Sequence, residues 1–571
     1  MSLDKAFAVD SGARPQTATF PHTTGCQQIE SATRKSKPEK DNPSIGTRDH
    51  ANAPPQEKEN YPKGAKLALL TIALGLSCFL VALDNTIIST AIPKITDAFN
   101  SLQDVGWYGS AYLLTTAGTQ LLFGKLYTHF SIKWVYVASI ALFEIGTLLC
   151  GAAPSSSIFI LGRAVAGVGN AGIFSGALVI IANSVPLAKR PLYTGMIGGM
   201  GGIGCVTGPI IGGIITDKLS FRYCFYLSLP LGGIALSLVI FLLDIQHSST
   251  RIVTPTNFFQ RLLNFDPFGT LVFIPAITSL LLVLQWGGSK YFWTSAPILG
   301  LLITFIILMA IFTAIQIVAQ DRATIPPRIL LRRSIWSSSL FAFALGGAFI
   351  IVTFYLPIWF QVIHGDSAAR SGVNTLPVVI ALVAGSVVAG GLITLIGYYA
   401  PFMILASILT LVGTGILTSL HLSSTLANWM PFEILCGLGV GFGIQQPMLA
   451  AQTVLDLRDI PTGTALVMFS NTLGGALFVA IAQNVFTNTF ISRLTATVPG
   501  ISATLILSAG ADSLKDAIPP QFLHAVLIAY NQSLSSVFIV AMSLAGLSFA
   551  GAFLVEWRSV KGRSIEGMIA A

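Results

Sequence analysis

Fourteen predominantly apolar runs, each close to 20 residues or longer, divide this chain, and no other feature limits its fold as much. A helix rises ~1.5 Å per residue, so about 20 apolar residues cross the hydrocarbon of a bilayer. The runs lie at 67–92, 107–126, 134–153, 158–181, 194–216, 221–243, 267–284, 297–318, 337–362, 372–397, 401–420, 428–454, 461–486 and 534–556. Only 10% of residues are charged, against about 25% in soluble domains. The expected fold class is therefore an all-α polytopic membrane protein. An even number of spans puts both ends of the chain on one side.

Lys and Arg set the orientation. With the N-terminus inside, the inner loops and C-terminal tail hold 14 of them, the N-terminal tail 10 and the outer loops 7. The bias favours cytosolic termini. Net charge is +8, but the basic residues cluster at span ends, so no nucleic-acid partner is expected. Residues 1–65 are polar, lack an apolar run and read as a disordered cytosolic tail without a cleavable signal peptide. The six cysteines show neither metal nor disulfide spacing. The seven histidines are scattered, and no G-x-x-x-x-G-K-[ST] run is present, so neither metal nor nucleotide cofactor is expected.

A weak internal repeat is visible. Gly124-Lys125-Leu126-Tyr127 opens the loop after span 2, with Lys133 closing it, and Gly391-Leu392-Ile393-Thr394 opens the loop after span 10. If the two correspond, residues 66–243 and 337–556 are two six-helix bundles. Residues 244–336 are then a linker carrying two inserted helices, 487–533 a long outer loop and 557–571 a cytosolic C-terminal tail. Repeated halves with a binding site between them are a transporter architecture.

Ionisable residues inside spans are costly and mark function. They are Asp84 in span 1, Glu144 in span 3, Arg163 in span 4 and Glu433 near the start of span 12. Asp84 lies ~12 Å and Arg163 ~8 Å from the outer ends of their spans, so the two can meet. A carboxylate that alternates between a charged, arginine-paired state and a neutral, unpaired one can couple proton entry to conformation. A static ion pair joining spans 1 and 4 is the alternative. Glu144 reads equally as a second proton site or as a polar cavity residue.

Gly204, Gly208 and Gly212 recur every fourth residue of span 5, with Pro209 and Gly213 beside them. Such a face admits a neighbouring helix very closely, and Pro209 removes one backbone donor. The run G-x-x-x-G-P-x-x-G-G resembles the antiporter motif of the major facilitator superfamily. Leu83-Asp84-Asn85-Thr86-Ile87 resembles the span 1 motif of its fourteen-helix drug:proton antiporters, and Arg163-Ala164-Val165-Ala166-Gly167-Val168-Gly169 the span 4 motif, with Ala166 for the usual glutamine. Phe221-Arg222-Tyr223 through Pro230 resembles W-R-W-x-F-x-I-N-x-P, with Ser228 for asparagine. Tyr355 through Gln361 and Gly441 through Pro447 are similar to segments of the fungal toxin-efflux branch. One departure stands out. In the loop motif G-x-x-x-D-R-x-G-R-R/K, Gly124 and Lys133 remain, but Thr128, His129 and Ser131 replace the aspartate, arginine and glycine. The charge-based inner latch is therefore incomplete.

The resemblance implies a major facilitator fold of two six-helix bundles plus two inserted helices. It also implies proton-coupled efflux of a small hydrophobic compound by alternating access, in a plasma membrane or a vacuolar or vesicular one. The partners expected are that compound, protons and the lipid bilayer, for a monomer. The candidate cavity residues are the amides Gln120, Gln361, Gln445, Gln446 and Asn471 and the aromatics Tyr355, Trp359 and Phe360, which suit a large uncharged ligand. The readings weighed against efflux are an importer of a polar solute, a non-transporting membrane sensor and a membrane-embedded enzyme. The enzyme reading lacks any clustered base, metal set or nucleophile motif.

Overall fold

The computed structural model describes residues 61–99, 101, 104–243, 266–288, 291–497 and 520–561. The N-terminal tail to residue 60, most of the segment linking spans 6 and 7, the centre of the 487–533 loop and the last ten residues lie outside the described residues. Among the described residues there is no β-strand, and fourteen long helices carry the fold. They are α1 (Ala65–Phe99), α2 (Val105–His129), α3 (Ile132–Ala152), α4 (Ser156–Ser184), α5 (Arg190–Lys218), α6 (Phe221–Leu242), α7 (Pro267–Trp286), α8 (Ala296–Ala319), α9 (Arg333–Trp359), α10 (Leu376–Ile396), α11 (Ala400–Leu417), α12 (Leu426–Val454), α13 (Ile460–Thr497) and α14 (Pro520–Leu554). All but α2 are apolar enough as well as long enough to cross a bilayer. The 25 residues of α2 are rich in Gly, Ser, Thr, Tyr and Gln. A helix packed among others can carry such residues where a lipid-facing one cannot.

Proline and glycine punctuate these helices where their backbone chemistry suits. Pro267 follows the capping Asp266, whose carboxylate accepts the Gly269 amide at 2.8 Å, and a proline at the first helical position lacks only a donor that would be orphaned anyway. Gly397, with φ of 95°, ends α10 in the left-handed region that glycine enters freely. Two boundaries differ from the sequence reading. Residues 487–497 continue α13 and 520–533 belong to α14, so the described residues of the stretch expected as a long outer loop are helical. The polar residues of these two segments lie along partly buried helices and dilute the apolar run without ending it.

Within the first half α1 packs on α5 and α6, α2 on α4, and α3 on α4 and α6. The second half repeats this set: α9 on α13 and α14, α10 on α12, and α11 on α12 and α14. The repeat extends to single residues. Gly167 of α4 lies against the Tyr112 backbone of α2, and Gly437 of α12 against the Val378 backbone of α10. Gly169 meets Phe143 as Gly439 meets Thr410, and Gly204 meets Phe79 as Gly474 meets Phe343. Gln120 donates to the Ala171 carbonyl at 3.1 Å, and Ser386 to the Gly441 carbonyl at 3.2 Å. Each position of α4 or α5 thus matches one 270 residues later (167 and 437, 169 and 439, 204 and 474). In this register Gly124 corresponds to Gly390, one residue before the Gly391 suggested by the loop sequences.

The halves meet along two seams, α2 on α13 and α5 on α10. Both seams are tight near the face where α1 begins and α14 ends, here the N-face. A Cβ on Gly124 would stand 2.7 Å from the Ala465 Cβ and 3.2 Å from the Pro461 carbonyl, and one on Gly390 2.5 Å from the Pro191 carbonyl. An apolar cluster containing Leu121, Leu178, Met448 and Val467 fills the space behind the first seam. The inserted pair α7 and α8 pack on each other, and α7 also touches α2 and α13.

Candidate functional site

The sequence places two acids, Asp84 and Glu144, and one base, Arg163, in the membrane-spanning part of the first half, and the fold joins Asp84 to Arg163. Arg163 Nη1 donates to Asp84 Oδ2 at 2.6 Å, with the side chains 0% and 3% exposed. Arg163 Nε donates to the Tyr108 carbonyl at 2.9 Å, and the guanidinium lies 4.4 Å from the Tyr112 ring centroid. Its Nη2 finds no partner. The pair ties α1 to α4, while the Tyr108 and Tyr112 contacts tie both to α2.

The α5 glycine run explains how α1 is held. Gly204 stands where a Cβ would come within 2.5 Å of the Phe79 carbonyl, and Gly208 faces Thr86 and the Ile87 amide. The contacted stretch of α1, from Phe79 to Ile87, contains Asp84. The motif glycines therefore lay α5 directly on the turns that present the acid, while Pro209 sits within the continuous helix. Gly213 has open space around it. The Gly212 carbonyl faces the Cys224 thiol of α6 at 3.9 Å.

Glu144 does not join the pair. It is half-buried on α3, and its carboxylate occupies the space beside Gly232 of α6. Neither of its carboxylate oxygens has a hydrogen-bond partner. Glu433 is wholly buried in the second half, and its two oxygens are likewise unpartnered.

The amides and aromatics divide by environment. Gln120 is buried and spent on the Ala171 carbonyl, Asn471 donates to the Ala342 carbonyl at 3.1 Å, and Gln446 donates to the Phe442 carbonyl at 3.0 Å. Gln445 lies against Gly198 of α5 across the interface between halves, with its Oε1 unpartnered. Gln361 is half-buried in the turn that ends α9. Tyr355, Trp359 and Phe360 belong to the core of the second half. Tyr355 donates to Gln483 at 3.0 Å, Trp359 to Asn531 at 2.8 Å, and the Phe360 ring packs on Trp429 at 4.7 Å. These three aromatics face other helices of their own half and present no open surface. A cavity of ≈ 360 Å³ instead lies between the α7–α8 connection and the far end of α13, lined by Leu284, Trp293, Ile481, Asn484, Val485 and Asn488 among others.

At the N-face Gly124 abuts α13, Thr128 Oγ1 lies 3.4 Å from Thr462 Oγ1, Lys125 is buried and Lys133 half-buried. Where an acid is usual, a hydroxyl pair bridges the seam. Charges beside it come from residues the sequence reading missed. Arg328 donates to both carboxylate oxygens of Asp459 at 2.5 and 3.0 Å and to Asp321 at 2.5 Å, and these acids hold its guanidinium above the usual arginine range. Asp266 accepts from Gln316 at 2.8 Å and from the Thr324 amide and hydroxyl at 2.9 and 3.0 Å. The Asp-Pro pair at the head of an apolar run signals that cap. Nothing local signals a partner for Arg328 131 residues away.

The sequence profile of the Major Facilitator Superfamily matches residues 74–479. An MFS-type efflux pump, MFS1, of Arthroderma benhamiae is 50% identical over 523 residues, covering 91% of this chain and 97% of that protein. The aspyridones efflux protein of Neocamarosporium betae is 46% identical over 511 residues, covering 89% of this chain and 90% of its own length. The solved proton:xylose symporter XylE shares the fold, with a TM-score of 0.55 at 14% identity over 84% of this chain and 94% of that one. With this match, the repeated six-helix halves and the glycine-packed α5, the chain belongs to the Major Facilitator Superfamily, as a multi-pass integral membrane protein.

Proposed function

We propose that this protein exports a small hydrophobic compound, a fungal secondary metabolite, in exchange for protons by alternating access. The buried Asp84–Arg163 pair carries the proton-coupling part of this reading. An acid enclosed with a single base can be charged and paired or neutral and released, and the two states pack differently. Because α5 rests on the α1 turns that present Asp84 and also forms the seam with α10, a change at the acid reaches the interface that must open. The names of the relatives support export as the direction.

The two rigid bodies are residues 66–243 and 337–556, with 244–336 as a linker bearing α7 and α8. The tails at 1–65 and 557–571 are cytosolic, so the N-face is the cytosolic face and the seams close the protein toward the cytosol. The Lys and Arg excess on that side supports this orientation. The protein acts as a monomer in the plasma membrane. Its substrate enters between the halves, where Gln445 keeps an unsatisfied amide oxygen for an uncharged ligand. The mixed apolar and amide cavity beside α13 is a route to the outside.

The test is accumulation of candidate metabolites in cells with and without the protein, repeated with a proton uncoupler. Lower accumulation that the uncoupler abolishes is expected. Higher accumulation identifies an importer, and no change for any compound points to a sensor. Uncoupler-resistant export would remove the proton from the mechanism.

A further inference from the structure

The internal repeat locates the counterpart of the Asp84–Arg163 pair in the second half. The 270-residue step from α4 to α12, fixed by the glycine contacts at 167 and 437 and at 169 and 439, carries Arg163 to Glu433. Phe79 and Phe343 are equivalent in their contacts with Gly204 and Gly474, and the same spacing carries Asp84 to Ala348. The base thus becomes an acid and its partner becomes a methyl group. Glu433 is 0% exposed, and among the described residues it makes no salt bridge. Its neighbours on α12 are Trp429, Cys436 and Gly437, one turn away.

Other titratable groups near this end of the half are engaged or remote. Asp366 and Arg370, ahead of α10, pair with each other at 3.2 Å. His364 is exposed beside Trp359 and Phe360, and His421 lies in the turn before α12. From α11 Thr410, Leu409 and Gly413 lie against α12, and α10 presents Val378 and Ala381 beside Gly437; none of these is titratable. Cys436 is the one titratable group on Glu433's own helix within electrostatic reach. Among the described residues no cation pairs with the carboxylate.

What does face it is the junction at Thr375, where the short helix Ala368–Asn374 ends and α10 starts. The Glu433 carboxyl is directed at the Val378 backbone in the first turn of α10, yet neither oxygen completes a hydrogen bond. That turn has no side-chain cap. The first amides of a helix lack intrahelical partners and carry partial positive charge, so they are receptors for an anionic oxygen. An ionised carboxylate buried without any partner costs several kcal/mol, whereas the neutral acid can wait in this geometry. We propose that Glu433 is a proton-binding site of the second half, disengaged when neutral and held by the start of α10 when charged. Loading or unloading the proton then biases α10 against α12. Since α10 also forms the seam with α5 at Gly390 and Ser386, the site acts on the contact that alternating access must break. This deepens the proton-driven reading and rests on it.

The experiment is infrared difference spectroscopy of the purified full-length protein in detergent, titrated from mildly acidic to mildly alkaline pH. Wild type is compared with Glu433→Gln, Glu433→Asp and, separately, Asp84→Asn. Wild type should show a carboxylic-acid carbonyl band that falls as pH rises. Glu433→Gln should lose that band and release one proton fewer per molecule, and Asp84→Asn should retain it. Glu433→Asp moves the acid away from the α10 amides and should shift the titration midpoint, which also tests the site if the glutamine variant folds poorly. An unchanged spectrum in Glu433→Gln, a band that does not titrate, or an unshifted midpoint in the aspartate variant would overturn the proposal. Uncoupler-resistant export by wild type would overturn the broader reading instead, so the two failures are distinguishable.

Discussion

Substituting Asp84 by asparagine separates an ion pair that merely holds α1 to α4 from one that carries a proton. The geometry sets the size of the effect. Both partners are at most 3% exposed and 2.6 Å apart, and removing one charge of such a pair typically costs about 3–5 kcal/mol, because the other is left buried and uncompensated. Asparagine keeps an oxygen for Arg163 Nη1, and a hydrogen bond to a charged donor recovers about 1.5–3 kcal/mol. The expected net loss is therefore about 2 kcal/mol, a ~30-fold fall in the folded-to-unfolded ratio. Arg163→Gln leaves a bare carboxylate and unsatisfies the Tyr108 carbonyl, so it should cost the full about 3–5 kcal/mol. The double variant puts two neutral amides face to face and should cost about 1 kcal/mol. The coupling energy is then at least about 4 kcal/mol in magnitude.

The assay is a thermal unfolding series in detergent on all four proteins, with efflux measured in parallel in cells. Stability should fall in each single variant and largely return in the double. Gradient-driven efflux should be lost in Asp84→Asn and remain lost in the double, because restoring the packing does not restore a titratable group. Additive stability losses would refute the energetic argument. Recovery of efflux together with stability in the double would show a static clasp, and full efflux by Asp84→Asn alone would move the coupling role to Glu144.

Two further expectations follow from contacts. Gly208→Leu drives a branched side chain into Thr86 and the Ile87 amide, backbone that cannot yield as a flexible side chain would. A packing loss of about 1–3 kcal/mol and loss of coupled export are expected, and normal export would mean that this face does not bear on α1. Cysteines placed singly at Leu219, 66% exposed at the far end of α5, and at Phe130, 40% exposed at the N-face, test orientation. An impermeant thiol reagent applied to intact cells should label only the first, and the reverse pattern would invert the direction assigned to the seams.

Depth along a helix was readable from the sequence, but the direction in which a side chain faces was not. Asp84 and Arg163 could be matched because residue counts from span ends translate directly into height. The glycine spacing at 204 and 208 named a contact face because only close approach requires three hydrogens in place of side chains. Trp359 and Phe360, which composition suggests as ligand-facing, pack in the core of the second half, for the converse reason. Lipid, bundle core and an apolar cavity all accept an aromatic ring, so local composition does not separate them. The α2 helix, expected from the run at 107–126, carries polar residues that dilute its apolar character and that burial between α4, α7 and α13 accommodates. Arg328 with Asp459, and Asp266 with Thr324, join segments far apart in sequence, and no periodicity encodes such pairings.

The two halves share backbone spacing but not charge, and that combination constrains how the molecule can move. Gly124 against Pro461 and Ala465, and Gly390 against Pro191 and Leu192, are the same contact made twice. Each leaves no room for a methyl group, so neither seam can slide by a fraction of a side chain without a clash. Opening has to lift whole helices apart. Because α2 and α5 belong to one half and α10 and α13 to the other, lifting one seam as a rigid rotation lifts the second with it. The repeat therefore supplies a two-position mechanism by packing alone, with no preference between positions. A preference requires the parts that break the repeat: an acid with its base in α1 and α4, and an acid with only a helix start to meet it in α12. Under the proposed coupling, protonation at either place would change the energy of one half without an equal change in the other, and a twofold arrangement becomes directional only through such an asymmetry.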